Sequence, residues 1–265
     1  MKFIDNFLIC LTGLPAAGKS TFARTLKKII LKEQNKYEVA IIDPDIIRST
    51  LTGESFEPEK EQTIRKKNLE QIKTSLQENK IVISDDINYY TSMRHELKEI
   101  AIGLRLTYFI VHISTPLEIC LEWNKKRGKP IPDEVIYTIA DRFDMFDKYK
   151  WESPDLIVDM SKVSKIDPII YKFLKHIEKQ LRKKVSNGKE KNPRPEKTRY
   201  REELDSITRS IVGEIMRNHT QFEKRNRLLK ARKNFIKMTM DENLSQKDIK
   251  ARFKKFLRDS FNLDV

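Results

Sequence analysis

Cysteine is scarce in this chain, and long hydrophobic runs are missing. Only two of the 265 residues are cysteine, Cys10 and Cys120. Both stand in apolar segments without a partner at metal-ligand spacing. That excludes a disulfide framework and leaves two small buried hydrophobes. No stretch approaches the roughly 18 apolar residues of a membrane span. The apolar run Phe7 to Leu11 is short and leads into a glycine-bearing loop, so it reads as a first strand and not a secretory leader. A cytoplasmic protein with no membrane partner is expected. The four histidines, His95, His112, His176 and His219, are scattered, and no metal cluster is expected from them. No internal repeat is visible.

Charge is abundant. Charged residues make up 35% of the chain and the formal net charge is +14. A basic balance of that size suits a polyanionic partner, and a solvated surface is the plainer alternative. The excess is unevenly spread. Residues 186–265 hold 21 Lys and Arg against 12 Asp and Glu, so most of the excess lies in under a third of the chain.

The first 182 residues alternate short apolar runs with amphipathic ones, as a parallel sheet with crossover helices requires. Strands are expected at Phe7–Thr12, Glu38–Ile42, Ile81–Ser84, Leu106–Ile113 and Leu156–Asp159. Helices are expected at Lys19–Glu33, Pro58–Glu78, Tyr90–Ile102, Pro116–Lys125, Asp133–Phe143 and Pro168–Lys184. Beyond these, the Gly-, Asn- and Pro-bearing segment 185–195 reads as a linker. Apolar spacing then predicts three more helices, Glu202–Asn218, Phe222–Met238 and Ser245–Asp259. Ser245 followed by Asp248 is an N-cap pattern. The expected fold is α/β: a P-loop NTPase three-layer αβα with a five-stranded parallel sheet over 1–184, and an all-helical basic domain over 196–265.

Gly13-Leu14-Pro15-Ala16-Ala17-Gly18-Lys19-Ser20 matches GxxxxGK[ST] and sits between a strand and a helix, the context that this motif needs. Gly13 and Gly18 let backbone N–H groups converge on phosphate, with the helix N-terminus adding positive charge. Lys19 is expected at the β- and γ-phosphates of ATP and Ser20 at Mg²⁺, with Thr21 completing the nucleotide site. Asp43 and Asp45 follow the second strand, where carboxylates line the ligand crevice of a parallel sheet. The alternative for Asp45 is to cap a short helix beginning at Ile46, since Asp is a good N-cap. Asp45 with Arg48 resembles the substrate-facing DxxR of small P-loop kinases, so Asp45 is favoured for chemistry and Arg48 for substrate binding. Asp85 and Asp86 end the third strand, where one carboxylate should hold the metal shell. Asn88, Tyr89 and Arg94 are further candidate substrate contacts. Tyr89 and Tyr90 either stack on a ring or anchor the next helix. The polar segment Glu122 to Asp133 is a candidate lid with Arg127 as its phosphate-facing cation.

The P-loop, DPDIIR and SDDINYYTSMRHEL, followed by RGKPIPDEVI and KYKWESPDLIVD, resemble archaeal L-seryl-tRNA(Sec) kinases over roughly residues 7–160. The resemblance implies transfer from ATP to the seryl hydroxyl of tRNA(Sec) charged with serine, a step of selenocysteine synthesis. It implies Asp45 as catalytic carboxylate, Lys19 and Arg127 as catalytic cations, and a C-terminal helical domain on the tRNA. Trp123 departs from the family's lid pattern RxxxR, and Lys125, Lys126 or Arg142 are left to supply the second charge. The basic tail contributes Arg217, Lys224, Arg227, Lys230 and Lys233 as candidate tRNA contacts. A homodimer is left open. Two other readings fit the same motifs: a small-molecule P-loop kinase, and a tRNA-associated ATPase similar to the Kti12-like factors, which share the P-loop and an NY motif after strand three.

Overall fold

The computed structural model describes residues 1–52, 58–146, 149–187, 196–218, 222–242 and 244–261. Within these, the side chains of 52, 58, 185–187, 196–199, 202, 216–218, 222–226 and 260–261 lie outside the description. The chain divides into two compact units, Met1–Lys189 and Glu190–Val265.

The first unit is built on five parallel strands in the order β2-β3-β1-β4-β5. They are β1 (Phe7–Gly13), β2 (Val39–Ile42), β3 (Ile81–Ser84), β4 (Thr107–Ile113) and β5 (Leu156–Val158). Strand β1 is central and fully buried, and its alternation shows why. Phe7, Ile9 and Leu11 pack into one core with Phe22, Leu26 and Ile30 of α1 (Lys19–Glu33) and Phe173, Leu174 and Ile177 of α7 (Asp167–Asn187). Leu8 and Cys10 enter the opposite core with Ile72 of α3 (Glu61–Gln77) and Leu97 of α4 (Thr91–Gly103). A strand buried on both faces reads as a continuous apolar run, the pattern of a parallel sheet covered on both sides. The remaining helices of this unit are α2 (Pro44–Thr52), α5 (Leu117–Lys126) and α6 (Asp133–Asp141). Both cysteines are buried and free, and no described helix is long and apolar enough to cross a membrane.

The order 2-3-1-4-5 reverses direction at β1. Ligands bind in the crevice at the carboxyl ends of the strands beside such a reversal. That edge gathers the loop after Gly13, Asp43 after β2, Asp85 after β3 and Met160 after β5.

The second unit packs α8 (Glu196–Asn218), α9 (Phe222–Thr239) and α10 (Gln246–Phe261) around Leu204, Ile211, Leu228, Phe235, Ile249 and Phe253. Ser245 Oγ accepts from Asp248 N at 3.2 Å and donates to Asp248 Oδ2 at 2.5 Å, which caps α10. Arg232 is 8% exposed and donates to Thr208 Oγ1 at 3.2 Å and Asp205 O at 3.1 Å. It also pairs with the Asp205 carboxylate. This arginine therefore ties α9 to α8 from inside and does not belong to the outward basic face.

Several boundaries differ from expectation for local reasons. Helix α7 runs through Asn187, because nothing before the Asn-Gly pair breaks it. Most of the segment expected as a linker lies outside the described residues. Helix α8 begins at Glu196, directly after Pro195. Its first turns carry little apolar periodicity, but Tyr200 is buried and donates from its hydroxyl to Thr239 O at 2.7 Å. Helix α6 stops at Asp141, which frees Phe143 to reach His112 with ring centroids 5.6 Å apart. Helix α2 starts at Pro44, two residues before the expected Ile46.

Two predictions follow from packing in the first unit. Gly13 has φ +152°, and a Cβ there would stand 2.5 Å from the carbonyl oxygen of Ile113, its register partner. Gly13→Ala should destabilise the unit by about 2 kcal/mol or more; an unchanged thermal midpoint would contradict this. His112 lies between Phe143 and the Phe146 ring, the latter 4.8 Å away. Burial, aided by the Arg94 charge, lowers its pKa to about 4 from 6.5. Between those values the unfolded chain binds a proton that the folded chain does not. Stability should therefore fall as pH drops through that window, by on the order of 2 kcal/mol. His112→Phe should flatten that part of a denaturant-measured pH profile.

Candidate active site

The phosphate loop curls because its two glycines allow it. Gly18 has φ +98° and Gly13 φ +152°, and Ala16 between them also takes a positive φ of 61°. The Lys19 ammonium lies inside the curl, donating to Gly13 O at 3.1 Å and Leu14 O at 2.7 Å. Burial lowers its pKa, against the opposing pull of Asp85 and Asp86. Thr115 braces the loop from β4: its hydroxyl donates to Ala17 O at 2.8 Å and accepts from Met160 N at 3.2 Å. Leu14, Pro15, Ala17 and Thr21 fall in the same turn and helix start.

The two carboxylates after β3 separate cleanly. Asp85 lies near the Ser20 hydroxyl, Lys19 and Arg24; burial raises its pKa and those partners oppose the rise. Asp86 turns away, 3.3 Å from Arg65 of α3, and accepts from Ile87 N at 2.7 Å. The hydroxyl–carboxylate pair Ser20–Asp85 has the donor set of a P-loop Mg²⁺ position. Asp86 holds a helix instead. Among the described residues no group of three or more His, Cys, Asp or Glu is arranged for a metal ion. The P-loop position needs none, since most of its ligands are phosphate and water.

The aspartates after β2 also divide their work. Asp43 caps α2, its Oδ1 accepting from Asp45 N at 2.9 Å. Burial, with Asp45, Asp85 and Asp86 nearby, pushes the Asp43 pKa up to about 6 despite that N–H. The Asp45 side chain is 78% exposed and paired with Arg48. Arg48 is held in turn by both oxygens of Glu61, at 2.7 and 2.9 Å. The cap is thus Asp43, and Asp45 is left at the open rim.

Two expected substrate contacts do not reach the crevice. Arg94 is 0% exposed. It donates from Nε to Glu152 at 3.0 Å, from Nη1 to Asn88 O at 2.9 Å and Tyr89 O at 3.1 Å, and from Nη2 to Asp144 O at 2.8 Å. Its guanidinium also stands 4.6 Å over the Phe146 ring. Asn88 is equally buried, with φ 39°, and donates to Leu11 O at 2.9 Å. Asparagine tolerates that left-handed backbone better than most residues. Both residues brace the loop after β3 from beneath, Arg94 against Glu152 and Asp144 and Asn88 against Leu11. Tyr89 and Tyr90 remain at the surface of that loop, half-buried, with ring centroids 4.0 Å apart.

The segment after α5, expected as a lid, is pinned by Asn124. Its Nδ2 donates to Ile131 O at 2.6 Å and its carbonyl accepts from Lys129 N at 2.9 Å. Arg127 is exposed at the C-cap of α5. A cavity of about 440 Å³ over the phosphate loop is lined by Arg127, Lys126 and Arg24 among others, while Lys125 and Arg142 are not on its wall. Sequence reasoning missed Arg24, Met160 and Thr115. Only Arg24 carried a usable signal, one helical turn beyond Ser20. In the second unit, Arg227, Lys230 and Lys233 are exposed on α9; the side chains of Arg217 and Lys224 lie outside the described residues.

A family model described as chromatin associated protein KTI12 matches residues 7–258. Protein kti12 of Schizosaccharomyces pombe is 24% identical over 220 residues, covering 80% of this chain and 76% of that protein. An L-seryl-tRNA(Sec) kinase of Methanococcus maripaludis is 35% identical over 235 residues, covering 87% of this chain and 89% of that protein. The crystal structure of Chaetomium thermophilum Kti12 in complex with ADP-AlF3 aligns with a TM-score of 0.55 at 22% identity, over 64% of this chain and 98% of that one. That likeness shows the fold, a P-loop kinase-like αβα architecture. The expectation of a seryl-tRNA(Sec) kinase acting in selenocysteine synthesis is corrected here. The family model, the aligned structure and the fission-yeast relative all bear the Kti12 name. With that match running over residues 7–258, the chain belongs to the Kti12 family.

Proposed function

We propose that this chain is an ATP-dependent phosphotransferase working as a tRNA-associated ATPase of the Kti12 kind. The observation that carries this is the Lys19–Ser20–Asp85 set at a glycine-curled loop, in a family match that continues through the basic helical unit. ATP would bring the transferable phosphoryl group, and Mg²⁺ would offset its charge. Gly13 through Thr21 would hold the phosphates, and Ser20 with Asp85 would hold the metal. Lys19, already desolvated, needs little reorganisation to face phosphate oxygens. Arg127, with Arg24 and Lys126 on the same cavity, supplies mobile positive charge for the transferring group. Asp45, fixed by Arg48 and Glu61, stands at the rim to orient an attacking water, and Tyr89 flanks the acceptor side.

The second unit fits a polyanion. Arg227, Lys230 and Lys233 recur at i, i+3, i+6 on α9 and are exposed, whereas Leu228 and Ala231 between them are buried. Such a face grips RNA by its phosphates without reading sequence. We infer a tRNA as the occupant, with Lys224 in the first turn of α9 and Arg217 near the end of α8 as further candidate contacts.

Hydrolysis of γ-labelled ATP with and without tRNA tests the proposal. Label released as inorganic phosphate, faster with tRNA, supports it. Label carried onto the RNA or its amino acid would overturn it. Lys19→Ala should reduce turnover at least ~100-fold, since it removes a preorganised charge from the transferring group. Asp45→Ala should reduce turnover by about 100-fold and leave ATP affinity within about twofold. A loss of ATP affinity with full turnover at saturation would reassign Asp45. Replacing Arg227, Lys230 and Lys233 together by Gln should weaken tRNA binding and flatten its salt dependence by roughly one slope unit per lost phosphate contact. ATP turnover without tRNA should stay unchanged; equal tRNA affinity at two salt concentrations would exclude this face.

A further inference from the structure

The cavity over the phosphate loop carries both charged and apolar groups on its wall. Lys19 and Arg24 stand on the α1 side, and Arg127 ends α5. The rest of the wall includes the Trp123 indole from α5 and the Met160 thioether just beyond β5. Met160 is locked in place. A Cβ added at Gly18 would meet its Cγ at 3.3 Å, so the thioether lies directly on the glycine that opens the loop. Its backbone N–H is tied to Thr115. Trp123 is held one turn before the α5 C-cap, where its carbonyl accepts from Arg127 N at 3.2 Å. It is partly exposed, and it occupies the position where the lid pattern of the resembled kinases carries arginine.

A phosphate chain has no use for an indole and a thioether. A flat aromatic ring does: stacking on a tryptophan face is favourable for any base, and sulfur adds polarisable contact at the ring edge. The half-buried pair Tyr89 and Tyr90 belongs to the loop after β3, near Asp86 and Arg142, and is not on this wall.

We propose that Trp123, backed by Met160, is the stacking wall for the nucleobase of the bound nucleotide. The proposal rests on the nucleotide reading of the P-loop and deepens it. Because every base has a π face, the wall holds purines without choosing between them.

The test compares Mg·ATP, Mg·GTP and Mg·tripolyphosphate by calorimetry on the full chain and its variants. Trp123→Ala should weaken ATP and GTP about tenfold or more and to the same degree. Tripolyphosphate should stay within about twofold. Trp123→Phe should recover most of the loss. Comparing ligands within one variant removes any general damage to folding. In a Trp151→Phe background, where Trp123 is the one remaining indole, ATP should quench its emission and tripolyphosphate should not. Parallel loss of ATP and tripolyphosphate, no loss of either, or an unquenched indole at saturating ATP would each overturn the proposal. Wild-type protein that binds tripolyphosphate and ATP equally well would overturn it while leaving the phosphate loop intact. Wild-type protein that binds neither would overturn both.

Discussion

The Arg94 guanidinium carries a full charge into the first unit with no exposure, and three of its hydrogen bonds hold backbone carbonyls around it. Asn88 and Tyr89 carbonyls lie on one side, Asp144 carbonyl and Glu152 carboxylate on the other. Such a charge is tolerable only when it is paired and hydrogen-bonded, and removing one partner of a pair of this kind costs ~3–5 kcal/mol. The arrangement therefore acts as an all-or-none strut. It joins the loop after β3, which presents Asp85 and Tyr89, to the segment beyond α6. Thr12 and Asn88 extend the strut to β1: the Thr12 hydroxyl donates to Asn88 O at 3.1 Å, and Asn88 returns a bond to Leu11 O. The phosphate loop starts one residue later.

Around that strut, the crevice is an exercise in distributing negative charge. Four aspartates, 43, 45, 85 and 86, come from two adjacent strand ends. Each has a different neighbour: a helix N-terminus for Asp43, Arg48 for Asp45, Ser20 for Asp85 and Arg65 for Asp86. Left unpaired they would repel one another and the phosphates. Paired in this way, one stands beside the phosphate loop, one faces the rim, and two hold α2 and α3 in place.

The parts of the site that are contiguous in sequence were legible there. A phosphate loop needs its glycines, lysine and hydroxyl within eight residues, so its chemistry is written locally. The sheet was equally open, because period-2 burial of Phe7, Ile9 and Leu11 against Leu8 and Cys10 leaves an unbroken apolar run. What stayed hidden depends on distant partners. Arg94 looks like a substrate cation until Glu152, 58 positions on, is brought against it. Asp85 and Asp86 differ only in which way the strand end turns them. The start of α8 was missed because its stability comes from the long-range Tyr200–Thr239 bond and not from its own pattern. The family was misjudged for a related reason. The motif blocks report the nucleotide scaffold and its bracing, which say little about the acceptor.

The central position of β1 has a consequence for how this chain is born. The first strand to be synthesised pairs with β3, whose partner residue for Leu8 is Val82, and with β4, whose partner for Leu8 is Tyr108. One of its two faces is completed only by α7, which begins at Asp167. A ribosome making about 5–20 residues per second leaves such a strand waiting for many seconds. During that time Phe7, Ile9 and Leu11 lack the cover of Phe173, Leu174 and Ile177. Closure of these long loops, and not helix formation, then sets the folding rate.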